Sequence, residues 1–314
     1  QQDPVEISTM AKLSKEILFS NELSLSPLDF CNFLEISART CNQRFFALEL
    51  AKMQGIQILG PIWLLMRQAE TVGDALSSLA KNFLLHTEAA AASIITEFDG
   101  ISFCYDIIDD SLEYETQLIE HALTLVCMEL KVLLGSQWRP KFTQFRYSAP
   151  YNLAPLKLIF GNNISFNQDR HAIHICRQDS IKPINKADSD YRKIIQQQLK
   201  ARLEMKGYQI VMRTEVAIRT LITQQSCTIN QIANTIGLSP RTLQRHLKQE
   251  AVSFKVLYEK VRLNIAKKYL LHSTMSITEI AERLHFSETA AFTRFFKRLT
   301  GITPKNYLIA NKKR

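Results

Sequence analysis

Two clusters of side chains in the last third of the chain have the types that contact nucleic-acid bases. The first holds Arg241, Gln244 and Arg245, and the second holds Thr293 and Arg294. An arginine can donate two hydrogen bonds to guanine O6 and N7, and a glutamine amide can match adenine N6 and N7. Because residues three or four apart share one face of a helix, Arg241 would lie beside Gln244 and Arg245 on a helical segment. Thr293 and Arg294 would likewise lie one turn from Thr289 and Ala290.

Other side chains near the two clusters are suited to the phosphate backbone, which a lysine contacts without reading sequence. Lys248 and Lys297 are interpreted in this way, as are Arg298 and Lys305. Ala290 could touch only a thymine methyl group or nothing, so we expect the first cluster to carry more of the base specificity. The predicted DNA contacts of the first cluster are Arg241, Thr242, Gln244, Arg245 and Lys248, and Lys297 is a predicted contact beside the second.

Both clusters lie inside a sequence pattern that occurs twice. Thr228 corresponds to Ser276 at an offset of 48 positions, and Leu243 corresponds to Phe292 at an offset of 49, so the second copy has one extra residue after its turn. In each copy a hydroxyl side chain can cap a first helix, and apolar residues follow at helical spacing. This order of cap, short helix, turn and second helix predicts two helix-turn-helix motifs.

The turns and the connection between the copies also have typical residues. Gly237 suits a left-handed turn, and Ser239 and Ser287 are predicted to cap the second helix of each copy. Between the copies, Ser253 can cap a single helix that runs to Leu271, which at 1.5 Å per residue is about 27 Å long. A rigid helix of that length could hold two reading helices about 34 Å apart, one turn of duplex.

Residues 228–308 closely resemble the AraC/XylS class of bacterial transcription regulators. The resemblance implies double-stranded operator DNA as a partner, and Thr289, Ala290, Thr293 and Arg294 match its DNA-contact positions. It also implies activation through contact with RNA polymerase, with repression at some sites equally open. Two residues depart from the family pattern, since His285 and Ala251 stand where it usually has Gly, and a left-handed turn strains a residue with a side chain. The resemblance is carried by Ser239-Pro-Arg-Thr-Leu-Gln-Arg245, Ser253-Phe254, Ile280-Ala281, Phe286-Ser-Glu288, Ala291-Phe-Thr-Arg-Phe-Phe-Lys297, Gly301-Ile-Thr-Pro304 and Tyr307.

The net charge of +9 is concentrated in this part of the chain. Residues 207–314 contain 18 Lys and Arg against 6 Asp and Glu, a net of +12, whereas residues 1–206 have a net charge of −3. A basic segment attached to a near-neutral remainder indicates a polyanionic partner for that segment alone. The charge by itself would fit a solvated basic surface equally well, and it is the repeat that favours DNA.

The rest of the composition is typical of a cytoplasmic globular protein. The six cysteines form no CxxC pair, so neither a zinc module nor a disulfide framework is indicated. We expect no membrane span, because no apolar run reaches about 18 residues. The chain opens without a secretory signal pattern, and its start at Gln1 suggests that a native Met or a longer leader is missing.

The first part of the chain has an α+β pattern. Asp99-Gly100 lies between the apolar runs Ala91–Phe98 and Ile101–Ile107, which predicts a β-hairpin. A long, mostly buried helix is predicted over Leu112–Leu134. Further helices are expected within residues 8–55 and near Leu156–Phe160, and further strands at Phe142–Tyr147, Ile164–Phe166 and Ala172–Cys176.

Residues 10–200 are similar to the arabinose-binding-type N-terminal effector domain of one AraC subgroup, which includes regulators of ornithine utilisation. This resemblance is looser than the C-terminal one and does not establish arabinose as the ligand. It implies a small-molecule effector or a partner subunit at this domain, and a homodimer. The matching residues are Leu64-Leu-Met66, Thr71-Val-Gly-Asp-Ala-Leu76, Gly135, Trp138-Arg-Pro140, Ala154-Pro155, Phe160-Gly161 and Phe166.

Candidate residues for the effector pocket are aromatic or polar-tipped side chains next to apolar runs. For each of them, core packing or a satisfied internal hydrogen bond is the competing interpretation, and a domain that only dimerises remains an alternative. The candidates are Trp63, Arg67, His86, Tyr105, His121, Trp138 and Arg146.

An enzyme fused to a regulator is the main alternative from another class, and the sequence gives it little support. His171 and His174 could bind a metal together on a helix, but their segment alternates like a strand, which separates them. Walker, HExxH and Gly-x-Ser-x-Gly motifs are missing from the sequence. We therefore expect no catalytic residues, metal ligands or cofactor.

The predicted architecture is an α+β N-terminal effector domain followed by an all-α C-terminal domain with two helix-turn-helix motifs joined by a long helix. The boundaries are expected at residues 1–187 for effector binding and dimerisation, 188–207 for a linker helix, and 208–314 for DNA binding. A change in effector occupancy would act by shifting the population of conformations that present the DNA-binding domains.

Overall fold

The computed structural model describes residues 2–19, 25–87, 89–108, 115–184, 193–198, 210–222, 227–236, 238–273 and 275–311. The chain separates into two compact units, Gln1–Phe166 with Arg170–Arg202, and Leu203–Arg314 with Asn167–Asp169. Of the predicted linker helix, only residues 193–198 are described, and they are helical. The domain boundaries therefore stay a prediction. Within the described ranges no helix combines the length and apolar content that crossing a bilayer requires.

The N-terminal unit combines helices with one five-stranded sheet, which confirms the α+β prediction for this part of the chain. Ser26 and Thr71 cap their helices by accepting hydrogen bonds from Asp29 N and Asp74 N. The helices are α1 Pro4–Met10, α2 Pro27–Thr40, α3 Phe46–Gln54, α4 Pro61–Arg67, α5 Val72–Asn82, α6 Thr116–Leu134, α7 Ala154–Phe160 and α8 Arg177–Ser180, with short 3-10 turns at Lys15–Leu18, Ile56–Leu59 and Phe83–Leu85.

The sheet has the strand order β1-β2-β5-β3-β4. All neighbouring strands are antiparallel except β3 and β4, which are parallel and connected through α7. One side of the sheet packs against α5 and α6, and the core between them is continuous with the helices α2 to α4. The strands are β1 Ala90–Glu97, β2 Gly100–Ile107, β3 Phe142–Gln144, β4 Ile164–Ser165 and β5 Ala172–Cys176.

The predicted hairpin is confirmed, with a different assignment of its loop. Glu97 pairs with Gly100, so the two loop residues are Phe98 and Asp99, and Gly100 is the first residue of β2. Gly100 is required by a close approach rather than by its φ angle, because a Cβ there would lie 2.1 Å from the Ile175 carbonyl oxygen of β5. The Asp-Gly pair therefore predicted the hairpin correctly, but the need for Gly100 comes from the neighbouring strand β5 and not from the turn.

The long helix α6 begins at Thr116 and ends where Gly135 adopts a φ of 111°. Glu115 is its N-cap, and residues 112–114 of the predicted range lie outside the described residues. The helix is buried on nearly all sides, and its buried residues include polar ones as well as apolar ones. The buried polar side chains are Gln117, Glu120, His121, Thr124 and Glu129.

The C-terminal unit is all helical in the described residues and has its own apolar core. The two predicted helix-turn-helix motifs are present, and the predicted connecting helix is a single helix of 19 residues capped by Ser253. At 1.5 Å per residue its length is about 28 Å. The helices are α9 Ile210–Ile222, α10 Ile229–Thr235, α11 Pro240–Gln249, α12 Phe254–His272, α13 Ile277–Arg283, α14 Thr289–Thr300 and α15 Pro304–Asn311.

The helix caps follow the repeat with one exception. Thr228 and Ser276 form full capping boxes with Gln231 and Glu279, in which each side chain bonds the backbone N–H of the other residue. Ser239 caps α11 as predicted. The prediction that Ser287 caps α14 is wrong, because the helix begins one residue later, with Glu288 as its N-cap and no side-chain cap bond. The extra residue of the second copy is inserted here.

Candidate nucleic-acid interface

Helix α11 divides its side chains between the core and the solvent. Leu243 and Leu247 are buried, whereas Arg241, Gln244 and Arg245 are exposed, as is Lys248 one turn further along. The four polar side chains make no hydrogen bond or ion pair with any other part of the chain that the structure describes. Long, unpaired donors on one face of a capped helix are compatible with contact to base edges in the major groove.

The predicted residues of the first copy line one open groove, formed by Arg241, Thr242, Gln244, Arg245 and Lys248. Thr242 differs from the others because its hydroxyl lies 2.8 Å from the Ser239 hydroxyl and its backbone N–H donates to Ser239 Oγ at 3.1 Å. Its side chain is therefore held at the helix N-terminus, where backbone N–H groups favour an anion such as a phosphate.

Helix α14 packs on the core through aromatic residues and exposes fewer polar side chains than α11. Phe292, Phe295 and Phe296 are buried, and the opposite face exposes Ala290, Arg294 and Lys297. The two threonines of the prediction are partly buried and bonded within the chain. The Thr289 hydroxyl donates to Thr278 Oγ1 at 3.3 Å, and the Thr293 hydroxyl donates to the Thr289 carbonyl at 3.0 Å.

Two arginines of the second copy are already paired with carboxylates. Arg294 donates to Glu288 at 2.9 Å, with both side chains largely exposed, and Arg298 donates to Glu259 of α12 at 2.9 Å. Arg294 must leave Glu288, or share it, before it contacts a base. The second copy thus offers fewer free donors than the first, and its weaker base discrimination stays a prediction.

The two turns are each held by an arginine that the sequence pattern did not single out. Arg213 of α9 donates to the Ile236 carbonyl at 2.9 Å, and Arg262 of α12 donates through Nε to the Leu284 carbonyl at 2.7 Å. Ile236 and Leu284 correspond at an offset of 48, and the two arginines correspond at 49. Extending the repeat upstream of the helix-turn-helix would have found them.

The two departures from the family pattern adopt the conformation that the usual glycine would. Ala251 has a φ of 55° and His285 a φ of 57°, both in the left-handed region. The imidazole of His285 also donates from Nε2 to the Ile222 carbonyl at the end of α9, at 2.9 Å. Part of the strain at this turn is offset by a contact that glycine could not make. The predicted turn residue Gly237 lies outside the described residues.

In the N-terminal unit, two of the effector candidates, His86 and Tyr105, share the neighbour Phe83, and His121 lies close enough to His86 to sense its charge. The Tyr105 ring contacts Phe83 edge to face at 5.7 Å, the exposed His86 also contacts Phe83, and His121 packs on Phe30. Burial, with a smaller effect of the nearby His86, lowers the pKa of His121 to about 4, so its imidazole is neutral at pH 7. Its Nε2 lies 2.8 Å from the Gln54 side-chain oxygen.

The other candidates are held by carboxylates of the same unit. Arg67 lies 2.7 Å from Glu129 and over the ring of Trp63, and burial raises the pKa of Glu129. The Trp138 indole donates to Asp179 at 2.8 Å. Arg146 pairs with Asp106 at 2.6 Å. Each of these side chains thus has an internal partner, as the competing interpretation expects, and its role in effector binding stays a prediction.

One buried polar network in the N-terminal unit was not predicted from the sequence. Arg44 makes two hydrogen bonds of 2.9 Å to the fully buried Glu120, and the Tyr147 hydroxyl donates to the same carboxylate at 2.8 Å. Burial raises the pKa of Glu120, and it raises that of Tyr147 further. A single sequence gives no signal for such a network, since its members are 27 and 76 residues from Glu120.

The two histidines considered for an enzyme do not converge. His171 directly precedes β5 and His174 lies within it. Residues three apart in an extended segment project from opposite faces of the sheet. His174 bonds Ser102 and lies 3.1 Å from Asp99, while His171 accepts from the Arg146 N–H and lies 3.8 Å from Glu115. Within the described ranges, no three His, Cys, Asp or Glu side chains are grouped as metal ligands would be.

The fold and the site define a two-domain protein with a double helix-turn-helix DNA-binding unit. Residues 3–184 match the model of the arabinose-binding domain of AraC transcription regulators, and residues 232–309 match a helix-turn-helix domain. The chain belongs to the AraC family of DNA-binding transcription regulators. The families that it matches are those of regulators, not of enzymes.

Relatives of similar length share both domains. VirS of Mycobacterium tuberculosis, described as an HTH-type transcriptional regulator, is 25% identical over 307 residues, covering 97% of this chain and 90% of VirS. The ornithine utilization regulator of Pseudomonas aeruginosa is 24% identical over 301 residues, covering 95% of this chain and 88% of its own. The crystal structure of the regulator CdpR from the same organism covers 98% of each chain with 18% identity and a TM-score of 0.48.

Proposed function

We propose that α11 and α14 bind a two-part operator and that the protein activates transcription from it in the cytoplasm. The observation that carries this proposal is the exposed, unpaired set of donors on α11. Helix α14 exposes a smaller set, in which Arg294 is paired with Glu288. A connecting helix of about 28 Å is compatible with placing two reading helices in successive major grooves, about 34 Å apart. Activation and contact with RNA polymerase are proposed from the family resemblance.

The operator can be selected directly from random duplex DNA. The full-length protein is used to enrich sequences from a random duplex library, and bound sequences are aligned. We expect two short blocks centred about 10 base pairs apart, with stronger base preferences in the block read by α11. Enrichment of no sequence, or of one block alone, would contradict the proposal. Transcription by purified RNA polymerase from a promoter carrying the selected site then separates activation from repression.

We further propose that the N-terminal domain dimerises and binds a small effector near His86, Tyr105 and His121. Support comes from their contacts around Phe83 and Phe30, and from the neutral imidazole of His121. An aromatic wall with one or two polar groups is typical of small-molecule sites. The internal partners of Arg67, Trp138 and Arg146 favour the alternative of a ligand-free dimerisation domain.

Thermal unfolding against a metabolite panel distinguishes the two proposals, because a ligand that binds only the folded state raises the midpoint by mass action. We expect a saturable rise with one chemical class, and its loss in His121→Gln but not in the matched exchange His246→Gln on α11. A flat response across broad chemistry, together with a stable dimer in sedimentation, would support dimerisation alone.

A further inference from the structure

The two helix-turn-helix motifs share one backbone hydrogen bond across their turns. The Leu238 N–H donates to the Ala233 carbonyl at 2.9 Å, and the corresponding Phe286 N–H donates to Ala281 at 2.9 Å. The carbonyl at the end of the first helix of each motif has no intrahelical partner. In the first motif this carbonyl belongs to Ile236 and accepts a hydrogen bond from Arg213 on α9. In the second motif it belongs to Leu284 and accepts one from Arg262 on α12.

The helices that supply these arginines, α9 and α12, are therefore equivalent parts of the repeat. Arg213 and Arg262 are separated by 49 positions, which is also the offset of Leu243 and Phe292. The unit that is duplicated is thus a set of three helices, and α12 is both the connection between the motifs and the first helix of the second set. Each arginine fixes the turn of its own set.

The second arginine is held more firmly than the first. Its guanidinium donates to Leu284 through both Nε and Nη2, and it stacks on the ring of Phe286 at 3.5 Å, with Tyr258 at 5.2 Å. The position that corresponds to Phe286 in the first copy is Leu238. A cation stacked on an aromatic face gains an attraction that an aliphatic side chain cannot provide.

Arg262 is connected to helix α14 through the ring of Phe286. Phe286 packs on Phe292 and Phe295 of α14, with ring centroids 5.3 and 5.1 Å apart. A shift of the turn therefore moves the helix that carries Arg294. Resting on the DNA-binding function proposed above, we propose that Arg213 and Arg262 are positioning residues that set the base discrimination of α11 and α14 respectively.

Arg213→Ala and Arg262→Ala in the full-length chain test this proposal by selection from the same random duplex library. We expect Arg262→Ala to lower base discrimination in the block read by α14 roughly tenfold, with the other block unchanged. Arg213→Ala should have the reverse effect, and a smaller one. The matched control is Lys260→Ala, which removes a 2.6 Å contact of α12 with Glu215 and leaves the turn untouched.

Rescue by a conservative change separates positioning from a merely structural role. Arg262→Lys keeps one donor and should regain part of the discrimination in the second block. It also remains informative if Arg262→Ala fails to fold, which thermal unfolding would show. Equal loss in both blocks, or retention of both blocks by folded Arg262→Ala and Arg262→Lys, would overturn the proposal. Failure of the wild-type chain to enrich any sequence would instead overturn the proposed function.

Discussion

Arg245 and Lys248 lie one turn apart on α11 and are equally exposed, but their chemistry predicts different roles. We expect Arg245→Ala to weaken binding to the selected operator by about 1–3 kcal/mol and to relax the base preference at one position. Lys248→Ala should weaken binding to specific and nonspecific duplexes alike, since a phosphate contact carries no sequence information. Fluorescence anisotropy at fixed salt measures both; an unchanged affinity for Arg245→Ala would refute its assignment.

We expect Glu288 to compete with DNA for Arg294. Its exposed pair with Arg294 is worth about 0.2–1 kcal/mol, so Glu288→Gln should free the guanidinium and strengthen operator binding by up to about fivefold. Glu250→Gln at the end of α11 makes the same change in net charge at an exposed residue without this ion pair. If both variants strengthen binding equally, the effect is one of overall charge, and the competition at Arg294 is not supported.

Because the pKa of His121 is lowered by burial, we expect the folding stability of the N-terminal unit to decrease in acid. Its folded pKa of about 4 lies below the ordinary value of 6.5, so the unfolded chain binds more protons between these values. Stability should therefore fall as the pH decreases from 6.5 towards 4, and His121→Gln should flatten this dependence. Both tryptophans, Trp63 and Trp138, lie in this unit, so their fluorescence during urea unfolding reports on it. An unchanged pH profile in the variant would count against a buried neutral imidazole.

At the level of elements, Ser276 caps its helix, whereas Ser287 only resembles a helix cap in the sequence. Ser276 accepts from the Glu279 N–H at 3.2 Å, whereas Ser287 makes no cap bond to α14. Ser276→Ala should cost about 0.5–2 kcal/mol of stability, and Ser287→Ala should cost almost nothing. Thermal unfolding of the two variants compares them directly, and a larger loss for Ser287→Ala would restore the assignment made from the sequence.

Across the whole molecule, the uneven charge sets the salt dependence of binding. Of the cations assigned to phosphates, Lys248, Lys297 and Lys305 have no ion pair with any described residue, while Arg298 is paired with Glu259. Three to four phosphate contacts predict a slope of log K against log salt of about −3 to −4. Lys297→Ala should reduce the slope by about one unit. A slope near zero would indicate that the basic surface faces another partner.

The repeat made much of the C-terminal unit predictable, because helix periodicity, caps and turn residues are local properties of the chain. The start of α14 was misplaced for the same reason, since Ser287 resembles Ser239 locally and only the helix geometry excludes it as a cap. In the N-terminal unit the hairpin and the buried helix were predicted, whereas the partners of Arg67 and Arg146 were not. Those partners are set by packing between distant segments.

The sequence alone determined the two-domain α+β and all-α architecture, the duplicated helix-turn-helix and its basic reading faces, because these depend on spacing, capping and charge within short stretches. Only the tertiary structure decided that Arg213 and Arg262 hold the turns, that His285 reaches the Ile222 carbonyl, and that Glu120 lies buried against Arg44. Each of these contacts joins residues at least 22 positions apart, and their pairing follows from the packing of whole helices.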